Sequence, residues 1–159
     1  MAENKLANVV VGVAGTGMMG GAHAFRHAQI GLPVVIGSRD PNKAQALASK
    51  INKPNVTGTS VADMLEKANF IILAVPARTL TDFFDTHRDL IVGKSKMFVD
   101  LSVTFSRMGS PAIQPPTSSD GPNWRGPYFD MCNYQKDRLN DPTVSFVKTW
   151  HNLYYKSIE

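Results

Sequence analysis

The stretch Val9–Arg39 constrains this chain more than any other. It reads VVVGVAGTGMMGGAHAFRHAQIGLPVVIGSR. An apolar run, Val9–Val13, leads into the glycine turn Gly15-Thr16-Gly17-Met18-Met19-Gly20. A helical segment follows, kept slim by Gly21, Ala22, Ala24 and Ala28. Gly31 sits where a helix C-cap glycine belongs, with Pro33 just beyond. A second apolar run, Val34–Ile36, ends at Gly37-Ser38-Arg39. Continuous apolar runs suit strands that are buried on both faces of a parallel sheet.

The same rhythm continues. Strands are expected at Ala7–Val13, Pro33–Gly37, Val56–Gly58, Phe70–Val75, Met97–Leu101 and Val144–Lys148. Helices are expected at Met18–Ile30, from Pro41 to Ile51, at Val61–Lys67 behind the cap Ser60, and at Thr79–Leu90, where Leu80, Phe83, Phe84 and Leu90 are apolar. Strands alternating with helices predict a three-layer α/β fold of the Rossmann type. Its sheet is mostly parallel with about six strands, and one domain spans 6–159. The segment 102–142 breaks the pattern. Pro111, Pro115, Pro116, Pro122 and Pro127, with many Ser, Gly and Asn, predict irregular chain there, facing a ligand or poorly ordered. No internal repeat is present.

Composition narrows the classes. Of 159 residues, 43% are hydrophobic, enough for a sizeable core. The net charge of +4 suits an anionic ligand, but the basic residues form no runs, which argues against nucleic acid. Cys132 is the one cysteine, so an internal disulfide and a cysteine metal site are excluded, and a cytoplasmic setting is expected. No apolar stretch approaches the roughly 20 residues needed to span a bilayer.

The glycine turn carries a mechanism. Gly15 permits the tight turn, Gly17 lets the backbone approach a pyrophosphate, and Gly20 lets the helix lie close on the strand. Free amides and the helix dipole then attract the anion. The end of the second strand chooses the cofactor. An acid there would hold the ribose 2′-hydroxyl of NAD, whereas arginine accommodates the 2′-phosphate of NADP. Here Ser38 can donate its hydroxyl, Arg39 can fork onto phosphate and stack on adenine, and Lys43 lies in the next helix's first turn. Asp40 is the counter-argument. It lies beyond the strand end beside Pro41, better placed to favour the first turn of that helix. NADP(H) is the expected cofactor.

These residues also carry a family resemblance. The GTGxxG turn, the GSRDP segment with Lys43, and the AVP at 74–76 resemble NADPH-dependent reductases of the deazaflavin coenzyme F-420, or F420. They are similar also to the cytosolic NADPH domain of the six-transmembrane metalloreductases. The match covers residues 8–104 and resumes weakly at Phe146-Val-Lys-Thr-Trp-His151. The resemblance implies NADP(H) held at the pyrophosphate by Gly15, Thr16, Gly17, Met18 and Met19, and at the 2′-phosphate by Ser38, Arg39 and Lys43. Ala74, Val75 and Pro76 would lie beside the adenosine ribose and nicotinamide. It implies hydride transfer between NADPH and FMN, FAD or F420, with the protein supplying proximity and orientation. The chain departs from the relatives at Val103-Thr104, where they carry an Asn-Pro turn, and at His151, where they carry Asn. Relatives continue beyond this length, so the C-terminal part is expected to be missing or divergent here.

Other constellations are weaker. His23 and His27 share a helix face without a third ligand, so they read as solvated surface rather than a metal pair. Cys132 has no identifiable base partner, and no catalytic residue can be assigned. Trp124, Tyr128, Phe129, Tyr134, Trp150, Tyr154 and Tyr155 could line a flavin pocket, form a homodimer surface or close the core. Methionines away from the turn read as gap-filling core. The Gly-x-Gly-x-Met-Gly pattern also occurs in hydroxy-acid dehydrogenases, but those need a helical C-terminal domain with a catalytic lysine, for which this chain has no room. Two functional classes therefore stand: an NADP(H)-dependent oxidoreductase, and a non-catalytic NADP(H)-binding or regulatory module.

Overall fold

The structure, a computed structural model, describes residues 8–102 and 131–148. Its elements in chain order are β1 (Val11–Ala14), α1 (Met18–Gln29), β2 (Val34–Ser38), α2 (Pro41–Ile51), β3 (Val56–Ser60), α3 (Val61–Lys67), β4 (Phe70–Leu73), α4 (Leu80–Thr86), β5 (Met97–Asp100), α5 (Met131–Leu139) and β6 (Ser145–Lys148). The six strands form one sheet in the order β3-β2-β1-β4-β5-β6, and every neighbouring pair is parallel. This is the Rossmann order, with its topological switch between β1 and β4.

Both faces of the sheet are covered, as the apolar strands require. On one face α1 and α2 seal Val11, Val13, Val34, Ile36, Ile72 and Val99 through Ala24, Ala28 and Ala44. On the other, α3, α4 and α5 bring Met64, Leu65, Leu80, Phe84, Tyr134 and Leu139 against Ile71, Leu73 and Phe98. Strand glycines make room for α3. A Cβ on Gly37 would sit 2.9 Å from Met64 Cβ, and Met64 is itself fully buried.

Several boundaries differ from expectation for local reasons. β1 starts at Val11 because Val10 N donates to Asn69 Oδ1 at 3.0 Å rather than to a neighbouring strand. The helix expected over Thr79–Leu90 is broken. A 3-10 turn at Ala77–Thr79 precedes α4, and His87, at φ −113° and ψ 19°, ends it before a second 3-10 turn at Arg88–Leu90.

The larger correction is α5, a helix inside the stretch expected to be irregular. Its sequence, MCNYQKDRL, carries few apolar residues, so its periodicity is weak. The described apolar side chains that it buries are Cys132, Tyr134 and Leu139. Asn140 stops it in the left-handed region at φ 46°, and Asp141 then ties the chain to Gly93 N at 2.6 Å. Arg138 forks onto Asp85 at 2.8 Å, holding α5 to α4. Tyr134 belongs to the core; Trp124, Tyr128, Phe129, Trp150, Tyr154 and Tyr155 lie outside the described residues, as do Val103-Thr104 and His151.

His23 overturns the expectation of a solvated histidine pair. It is 2% exposed, its ring stacks on His27 at 5.9 Å, and His27 Nδ1 pairs with His23 O at 2.7 Å. Burial, with a smaller contribution from the neighbouring His27, lowers its pKa to about 4. Among the described residues no helix is long and apolar enough to cross a membrane.

Candidate functional site

The glycine turn joins the end of β1 to α1 at the switch point of the sheet. Gly15 adopts φ 122°, and a Cβ there would lie 2.5 Å from Ala74 O, so both backbone and space demand glycine. A Cβ on Gly20 would run into the carbonyl of Gly15, so helix and turn pack backbone to backbone. Gly17 is the N-cap of α1 and differs from both. Nothing lies within 4 Å of its Cβ position, so its backbone borders open space. The first turn of α1 has no side-chain cap and no acidic residue. Its amides and the positive end of its dipole therefore face that space without a built-in counter-charge.

The end of β2 supplies the second component. Ser38 and Arg39 stand on the same cleft as the glycine turn. Asp40 is taken up locally: its carboxylate accepts Asn42 N at 3.1 Å and caps α2, while its own N–H donates to Ser38 Oγ at 3.2 Å. The acid that might have argued for a ribose hydroxyl thus serves the helix. Arg39 is exposed and, among the described residues, has no ion-pair partner. Lys43 is exposed in the first turn of α2 and does not line the cleft.

The cleft has a volume of about 890 Å³. Gly15, Thr16, Gly17, Met18, Met19, Ser38, Arg39, Ala74, Val75 and Pro76 all line it, so ten of the eleven expected binding residues converge and Lys43 alone stands apart. The rest of the wall comes from residues outside the expected set: Ser60, Val61 and Ala62 where β3 meets α3, and Thr79, Asp82, Phe83, Thr86 and His87 along one side of α4 and its flanking residues. Their spacing, with pairs three to four residues apart, was the available signal, hidden because Phe83 reads simply as core. His87 packs edge-on to Phe83 at 5.5 Å, and burial lowers its pKa. The end of β5 lies outside the cleft lining. There buried Asp100 pairs with Lys148 at 2.8 Å, accepts Ser102 N at 2.7 Å and has Cys132 Sγ at 3.6 Å.

The chemistry on offer is binding and orientation. Amides and one arginine suit phosphates, and apolar walls suit planar rings. Among the described residues no cluster of three or more His, Cys, Asp or Glu could hold a metal ion.

Comparison with known proteins points the same way. Residues 10–103 match the family described as NADP oxidoreductase, coenzyme F420-dependent. The F420-dependent NADP reductase of Methanothermobacter thermautotrophicus is 31% identical over 109 residues, 64% of this chain and 46% of the relative. That of Methanothermobacter marburgensis is 32% identical over the same length, covering 48% of the relative. The chain thus spans about half the length of the curated relatives it matches. Among solved structures, a protein from Arthrobacter sp. FB24, provisionally described as an F420-dependent NADP reductase, superposes with a TM-score of 0.68 at 22% identity. That match covers 92% of this chain and 64% of the other, and at this identity it speaks to the fold.

Proposed function

The chain belongs to the family of coenzyme F420-dependent NADP oxidoreductases, and from that premise we propose that it binds NADP(H) in the cleft and exchanges hydride with a deazaflavin of the F420 type. The observation that carries the NADP(H) reading is the convergence of α1's uncapped N-terminus with Ser38 and Arg39 on one cleft, while Asp40 is consumed as a helix cap.

These residues fit the dinucleotide. The open space at Gly17 admits a pyrophosphate against the backbone, where a side chain would stand in the way. Ser38 and the guanidinium of Arg39 would hold the 2′-phosphate, with Lys43 adding positive charge from outside the lining. Ala74, Val75 and Pro76 line the cleft and would lie beside the adenosine ribose and nicotinamide. When bound, the nicotinamide supplies the hydride chemistry. The chain's own part is to fix the cofactor's register and to keep its apolar wall against the ring, which is proximity and orientation rather than acid–base chemistry.

The test is a titration of the protein with NADPH and NADH, followed by addition of F420, FMN or FAD while absorbance at 340 nm is recorded. NADPH binding with F420-dependent oxidation supports the full reading. NADPH binding without turnover toward any acceptor leaves the second reading, a non-catalytic NADP(H)-binding module. That reading is favoured by a cleft to which neither β5 nor β6 contributes a residue. Failure to bind NADPH would sink both.

A further inference from the structure

Two stripes run along α4. Leu80 and Phe84 sink into the core, each 1% exposed. Thr79, Asp82, Phe83, Thr86 and His87 recur at the spacing of one helix face, and all of them line the cleft. The same cleft is lined by Ser38 and Arg39 at the end of β2, by Ser60 at the end of β3, and by Val61 and Ala62 in the first turn of α3. α3 and α4 share one core layer, and nothing in the lining comes from β5 or β6. The stripe and the ends of β2 and β3 therefore border one cleft, and its adenosine half is the half at Arg39 if that residue reads the 2′-phosphate.

The charges on this wall suit a base and not a phosphate. Asp82 is an anion and an acceptor only. Beside a phosphate it would repel; beside an amino group it accepts a hydrogen bond. Adenine presents such an amino group, with ring-nitrogen acceptors near it on the same edge. Phe83, mostly buried and edge-on to His87 at 5.5 Å, adds an apolar edge to the same lining. Burial lowers the pKa of His87 and so favours the neutral imidazole, which has one N–H to donate.

We propose that this face of α4 reads the adenine base, with Asp82 accepting from the exocyclic amino group, His87 donating to a ring nitrogen and Phe83 giving the base an apolar edge. The proposal rests on the NADP(H) reading above. It makes Asp82 a specificity-determining residue. Replacing the amino group by a carbonyl, as in the hypoxanthine dinucleotide, sets two acceptors against each other.

The experiment is calorimetric titration of the whole chain with NADPH and with its hypoxanthine analogue, deamino-NADPH. The proteins are the wild type, Asp82→Asn and Arg39→Ala. Asp82 is exposed, so its substitution should not disturb folding, and circular dichroism checks this. The wild type should bind the analogue about tenfold more weakly than NADPH, the size of one lost charge-assisted hydrogen bond. Asp82→Asn should bring the two within about twofold, because a side-chain amide pairs with either base edge. Equal wild-type binding of both dinucleotides overturns the adenine assignment; if Arg39→Ala still weakens NADPH, the cofactor reading survives it. Weakening of both dinucleotides alike by Asp82→Asn also overturns the assignment, since it would place the carboxylate on a ribose hydroxyl. No binding of either dinucleotide overturns the cofactor reading and this inference together.

Discussion

Replacing Arg39 by alanine removes the one cleft-lining cation at the end of β2, and its effect should depend on the cofactor. A charge-assisted hydrogen bond is worth about 1.5–3 kcal/mol net. Arg39 is exposed at the rim, where water screens it, so the lower end applies. NADPH should therefore bind about tenfold more weakly from loss of the phosphate contact. Any stacking of the guanidinium on adenine adds about 0.5–1 kcal/mol, and it is lost equally for both cofactors. NADH, lacking the phosphate, should weaken only about two- to fivefold. The readable quantity is the NADPH/NADH affinity ratio, which should fall about tenfold in fluorescence titrations at 0.1 M salt. The contrast should shrink in 1 M salt, where the screening length falls to about 3 Å. Lys43→Ala provides the comparison. Lys43 stands outside the cleft lining, so its loss should change the ratio by less than about threefold. An unchanged ratio in Arg39→Ala, or a larger change in Lys43→Ala, would refute the assignment of Arg39 to the 2′-phosphate.

Two further perturbations test the scaffold. His23 has its pKa lowered from 6.5 to about 4, so between those values the unfolded chain takes up a proton that the folded chain refuses. Stability should be full above pH 6.5 and fall as pH drops toward 4, by about 3 kcal/mol in all. A His23→Gln variant should lack this part of the acid dependence, and parallel urea-unfolding curves at each pH for the two proteins would disprove it. Lys148→Met should strand the buried carboxylate of Asp100, costing about 3 kcal/mol and lowering Tm by about 6–12 °C. Adding Asp100→Asn should recover part of that loss, and an unchanged Tm in the single variant would show that the pair does not hold β6 to β5.

Much of the fold was legible because its determinants are local. A run such as Phe70–Leu73 has to be covered on both sides, and the glycines of the turn answer to a single backbone path. The cleft's first wall was legible for the same reason, since Gly15 to Met19, Ser38, Arg39 and Ala74 to Pro76 all lie in the segments that leave strand ends, which the parallel order gathers at one edge. Lys43 shows the limit of proximity in sequence. It is four residues from Arg39, but the helix that Asp40 caps carries it away from the cleft.

What the sequence determined by itself, then, was the α/β order, the glycine turn that opens onto the cleft and the side chains at the end of β2. Each depends on a window of a few residues and on one periodicity. Tertiary structure alone decided the burial of His23, the helix α5, the Asp100–Lys148 pair and the cleft-facing stripe of α4. Asp100 and Lys148 are 48 residues apart and meet only because β5 and β6 are neighbours. α5 carries too weak a pattern to announce itself, and it is held by Tyr134 and Leu139 in the core and by Arg138 on Asp85. The face of α4 that meets the cleft is set by where α3 and the sheet leave space. No local pattern encodes that space, because it exists only once distant elements have packed.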